Sequence, residues 1–136
     1  MRDSVLNQYL QPRPTRVDTD DLEQANGLDD LGAFGFLRGI HERSLMLELR
    51  HKDGNIDGFP YAWLTRASFD PSEGITLRFG AETIKITGRN LNAEVRPNVR
   101  LFAGILRHRV SWIQEADHAA ALQARNHDII IERIKL

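Results

Sequence analysis

Between positions 34 and 88 the apolar residues fall on alternating positions, and turn signals interrupt the alternation. Period-two spacing sends one set of side chains to a single sheet face, where it can be buried, so this region reads as strands. Leu45, Leu47 and Leu49 alternate with Met46, Glu48 and Arg50 before Lys52-Asp53-Gly54-Asn55 intervenes. Strands are expected at residues 34–40, 45–51, 56–61, 64–70, 75–79 and 83–87. Asp53-Gly54 predicts a two-residue type I′ hairpin, because both central residues of that turn need positive φ and Gly adopts it without a steric cost. Asp70-Pro71-Ser72-Glu73-Gly74 marks a second turn and Gly80-Ala81 a third.

Pro60 lies inside the third of these strands and lacks an N–H, which forbids a central ladder position; that strand is expected at an edge, with Gly58 supporting a bulge. Phe59, Tyr61 and Trp63 occupy alternate positions and are expected on one face, as an aromatic interface. Strands joined by such short links predict an antiparallel meander, and five or six strongly twisted strands would bend into a small barrel or half-barrel.

After Gly88 the period changes. Val95, Val99, Phe102, Leu106, Val110 and Ile113 recur at steps of three and four, which predicts an amphipathic helix over 97–108 with Pro97 in its first turn. A break is expected near His108, because Val110 and Trp112 also fit a strand. Residues 116–127 read as a short helix or a loop. The terminal run 128–136 is dense in β-branched residues and predicts a last strand, with Ile129 and Ile131 as candidate interface residues. Such a strand either joins its own sheet or adds to the sheet of a neighbouring subunit.

The chain has 136 residues, enough for one domain with its own core. Residues 1–17, with Pro12 and Pro14, read as an N-terminal arm whose Val5, Leu6, Tyr9 and Leu10 have helical spacing, and 18–136 as a single α+β domain. Six acidic residues and no basic one lie between 18 and 30, where Asp20 and Glu23 have capping-box spacing for a helix near 20–26. A net charge of −1 with 27% charged and 41% hydrophobic residues describes an ordinary globular chain, not a bulk polycation for nucleic acid or anionic membrane. Without cysteine there is no disulfide, thiolate chemistry or cysteine metal site. No apolar run is long enough for a signal or a membrane span, so a cytoplasmic, unanchored protein is expected.

No catalytic signature stands out. The five histidines show no ligand spacing such as HxH or HExxH, no metal or other cofactor is indicated, and GxSxG, Walker and dinucleotide-binding patterns are absent. Asp70 with Glu73, and Asp53 with Asp57, are explained by turn chemistry. An enzyme using His51 or His108 with a loop carboxylate has the least behind it. The most pronounced local charge is basic: on a helix, Arg96, Arg100 and Arg107 would line one face, where they could meet phosphates or the acidic segment 18–30.

Leu45-Met46-Leu47-Glu48-Leu49 with Gly54 and Gly58, and Ile86-Thr87-Gly88-Arg89-Asn90, are similar in outline to the two signatures of the Sm-like small barrels, which form rings and bind RNA. About a third of the chain is covered. The glycine spacing is one residue short, the Asp-x-x-Met-Asn RNA-contact motif is absent, and Arg89 follows Gly88 where the family has Arg before Gly. The resemblance therefore implies a shape and no function.

The sequence thus predicts a bent antiparallel meander covered by an amphipathic helix and completed by a C-terminal strand. The expected role is non-enzymatic binding or assembly, as a homo-oligomer that uses the Phe59–Trp63 edge or the terminal strand. The alternative is a nucleic-acid-binding module using Arg96, Arg100 and Arg107.

Overall fold

The computed structural model describes residues 27–136; the expected N-terminal arm and the acidic helix near 20–26 lie outside them. The described chain is mostly β. Its strands are β1 (Leu28–Asp30), β2 (Phe34–Leu37), β3 (Met46–Arg50), β4 (Ile56–Pro60), β5 (Leu64–Asp70), β6 (Gly74–Phe79), β7 (Glu82–Arg89), β8 (Val110–Gln114) and β9 (Ile130–Lys135). Two short helices, α1 (Leu101–Leu106) and α2 (His118–Gln123), and a 3₁₀ turn at Tyr61–Trp63 complete the elements.

The strands form two sheets, and no closed barrel is found among the described residues. Sheet I has five strands in the order β1-β2-β8-β3-β4, and sheet II has four in the order β5-β6-β7-β9. The expected meander holds only in part. Strands β5, β6 and β7 follow one another through tight turns, but β8 enters sheet I between β2 and β3, antiparallel to the first and parallel to the second. A parallel pair needs a long crossover, and here the whole of β4 to α1 supplies it. Each of the expected strands is present, 64–70 with the expected ends and the others with shifted ones; β3–β4, β5–β6 and β6–β7 pair as in a meander, and the other partners differ.

Turn chemistry explains two further departures. The Asp53-Gly54 turn is a three-residue loop: the Gly54 N–H donates to the His51 carbonyl (3.0 Å), and only Gly54 has positive φ, 95°. That is a type I turn closed by a glycine bulge instead of type I′. The expected helix over 97–108 shrinks to Leu101–Leu106 because Pro97 and Asn98 (φ 66°) form the centre of a type II turn, with the Val99 N–H donating to the Arg96 carbonyl at 2.9 Å. At its other end the helix stops where expected. His108 takes φ 57°, its N–H donates to Ile105 and that of Arg109 to Gly104, which is a Schellman closure.

Alternation then builds the core. Leu47, Leu49, Phe34 and Ile113 of sheet I and Ile75, Leu77, Ile84, Ile86 and Ile131 of sheet II are fully buried in one cluster. Each such side chain contributes roughly 1.5–3 kcal/mol. Helix α1 covers an open side, with Gly104 against Phe36 and Val110, and Phe102 against Phe69 with ring centres 6.0 Å apart.

Candidate functional site

The aromatic and terminal-strand candidates do not form the surfaces expected of them. The 3₁₀ turn at Tyr61–Trp63 breaks the strand period, so Phe59, Tyr61 and Trp63 do not share a face. Tyr61 points inward: it is 2% exposed, its hydroxyl donates to the Val110 carbonyl (2.7 Å), and the His108 ring stacks on it at 4.5 Å. Burial pushes the Tyr61 phenol pKa upward. Phe59 packs on Phe79 at 5.2 Å, while Trp63 is 64% exposed. Ile129 and Ile131 are buried in the chain's own core, and β9 pairs with β7.

Nor do the arginines form a helical stripe, because α1 begins after Arg96 and Arg100. Arg96 is paired with Asp29, a member of the acidic segment 18–30. Arg100 donates to the Asn92 carbonyl at 2.6 Å and lies 3.8 Å from Glu94. Arg107 caps the helix through its backbone. A further basic residue, Arg109, is tied into the fold: its Nη2 donates to the carbonyls of Leu37 and Arg38 while its guanidinium lies over the Phe36 ring. Burial, with Arg43 and Arg107 adding to it, lowers the Arg109 pKa.

Two places remain, at opposite ends of sheet I. The first is an open cleft of about 940 Å³ between the ends of β3 and β8 and the segment 116–131. The alternation that buries Leu47 and Leu49 carries His51 to the same face, and the register Leu49↔Ile113 does the same for Glu115. His51 Nε2 lies 2.9 Å from Asp57 Oδ2, and Nδ1 lies 3.9 Å from Glu115 Oε1. Glu115 is the buried charged residue of the core, 7% exposed. Its Oε1 accepts from the Lys52 N–H (2.8 Å) and its Oε2 from the Ile134 N–H (2.6 Å).

Both Glu115 oxygens are therefore committed to backbone amides, one in the β3–β4 turn and one in β9, and the group acts as a clasp. Among the described residues lining this cleft there is no Ser, Thr, Tyr or Cys to serve as a nucleophile beside His51. No trio of His, Asp or Glu among the described residues is arranged to hold a metal ion. The sequence placed Asp57 in turn chemistry and passed over Glu115; the signal for Glu115 was strand parity continued beyond Ile113, and Asp57 is brought to the same face by its register opposite Leu49.

Comparison of the chain with protein-family models, with curated proteins and with solved structures returned no match.

The second place is the opposite end of sheet I, where β3 begins and β4 finishes. Leu45 is 86% exposed, Met46 45% and Trp63 64%, and Ile40 on a loop and Leu106 at the end of α1 are exposed as well. Strand β4 is an outer strand of sheet I, as Pro60 predicts, and Ile56, at its start and so beside the cleft, is 58% exposed. Large apolar side chains beside the open side of a strand are the chemistry of a contact surface. No helix among the described residues is long and apolar enough to cross a membrane.

Proposed function

We propose that this chain is a non-enzymatic assembly module that self-associates through the β3–β4 side of sheet I. The supporting observation is the conjunction of an outer strand, β4, with exposed Leu45, Met46, Ile56 and Trp63 along one hairpin and its exit. Water-exposed apolar area of this kind is driven into contacts by the hydrophobic effect. At the His51 cleft the Glu115 carboxylate is occupied by structural hydrogen bonds.

Light scattering over a concentration series tests the proposal. A mass above that of one chain is expected at micromolar concentration, decreasing on dilution. Monomer throughout the series would overturn it. A nucleic-acid role through Arg96, Arg100 and Arg107 has less support, because Arg96 and Arg100 already face carboxylates of the same chain. The salt dependence of any binding to single-stranded RNA separates the two readings.

A further inference from the structure

The backbone of β4 specifies how two copies would meet. The His51 N–H donates to the Asn55 carbonyl (2.8 Å) and the Tyr61 N–H to the Leu45 carbonyl (3.0 Å). These bonds place the odd-numbered residues of this strand in the ladder with β3, so Ile56, Gly58 and Pro60 turn their peptide groups outward. The outward row offers the N–H groups of Ile56 and Gly58 and the carbonyls of Ile56 and Gly58; the Pro60 carbonyl, which also opens the 3₁₀ turn at Tyr61–Trp63, is a shared acceptor, and proline has no N–H to offer. Resting on the assembly reading above, we propose that two copies pair through β4, antiparallel, about a two-fold axis at Gly58, joining their sheets I into one continuous sheet.

In this register each Gly58 N–H meets the partner's Gly58 carbonyl and each Ile56 N–H meets the partner's Pro60 carbonyl. Every outward N–H is then paired; opposite each Pro60 nitrogen, which has no hydrogen to donate, the partner's Ile56 carbonyl is left to water. A register centred on Asp57 pairs as many amides but sets two Asp57 carboxylates directly opposite each other, which is destabilising. One centred on Phe59 loses donors to Pro60. The side chains agree with the Gly58 register. On the outer face Met46 lies opposite Pro60, and Pro60 in turn would lie opposite the second copy's Ile56, so the hairpin's two exposed apolar side chains are covered together. Gly58 places no side chain at the axis.

The cysteine-free sequence allows a direct test in the full chain. A β-carbon at position 58 has its nearest neighbour at 3.4 Å, the methyl of Met46, so Gly58→Cys fits. Directly opposed residues of a hydrogen-bonded pair have Cα atoms about 5.5 Å apart, within disulfide range. Mild oxidation is expected to link Gly58→Cys into a covalent dimer while Thr83→Cys, exposed in sheet II, stays unlinked. Ile56→Lys is expected to shift the wild-type dimer to monomer at the same concentration. A dimeric wild type whose Gly58→Cys variant does not link, or which links equally at position 83, overturns the pairing and leaves the assembly reading standing. Retention of the dimer in Ile56→Lys also overturns it. Monomeric wild type overturns both.

Discussion

Strands β9 and β4 each lie at the border of a sheet, and the molecule treats their free sides in opposite ways. On β9 the outward Ile131 carbonyl accepts from the Ala116 N–H (2.8 Å) and the outward Ile134 N–H donates to the buried Glu115 carboxylate. The free side of the last strand is thereby covered by Glu115 and Ala116, the residues that follow β8. On β4 no such cover exists among the described residues, and the neighbouring side chains are apolar and exposed. A strand border that has to stay inert is closed with hydrogen bonds from its own chain; one left open beside apolar groups is available for pairing.

Removing the cover gives the largest effect. Glu115→Ala leaves the Lys52 and Ile134 amides without their charged acceptor, and charge-assisted bonds of this kind are worth about 1.5–3 kcal/mol each. A loss of roughly 3 kcal/mol is expected in urea unfolding, with new association through β9. A variant of wild-type stability would show that the two borders are not distinguished by Glu115. Glu115→Gln, which keeps an acceptor oxygen, should lose about half as much.

Tyr61→Phe comes next, because it leaves the buried Val110 carbonyl without its partner and should cost about 1–1.5 kcal/mol. Its pH dependence sharpens the assignment. A phenol whose folded pKa is raised contributes stability that is complete below its ordinary value of 10.0 and is lost as pH rises toward the folded value. Wild type should therefore weaken above that pH by a component that Tyr61→Phe lacks, measured by urea titrations at neutral and alkaline pH. Identical alkaline profiles would contradict the buried placement of the hydroxyl.

Arg96→Ala removes a partly exposed ion pair to Asp29 and should cost under about 1 kcal/mol, less in high salt. Smallest of all is the stability change in Ile56→Lys, expected within about 0.5 kcal/mol because the side chain is exposed. Its effect should lie in association alone. A large stability loss would mean that Ile56 supports the monomer and that β4 is not an open border.

Much of the strand content was legible because alternation reports burial directly: Leu47, Leu49, Ile84 and Ile86 lie inside as their parity predicts. Pro60 likewise announced an outer strand through its missing N–H. Partnership was not legible. Nothing local in Val110–Gln114 says that it will sit between β2 and β3, since that depends on contacts made across the chain. The helix was over-read for a different reason: Val95 and Val99 keep helical spacing, but they face each other across the Pro97-Asn98 turn, where the Val95 N–H donates to the Val99 carbonyl at 3.0 Å. The aromatic triplet failed because one 3₁₀ turn rotates Tyr61 inward and Trp63 outward.

The late insertion of β8 bears on how the chain reaches its native state. Strands β5, β6 and β7 meet through short turns and need little loop closure, whereas sheet I stays incomplete until a segment about sixty residues downstream of β3 arrives between β2 and β3. Such non-local pairing slows folding. During refolding, and during synthesis, the flanks of that gap are exposed backbone until Val110–Gln114 fills it. Pulse-labelled hydrogen exchange should accordingly find the amides of Leu77 and Ile84 protected before those of Trp112 and Ile113.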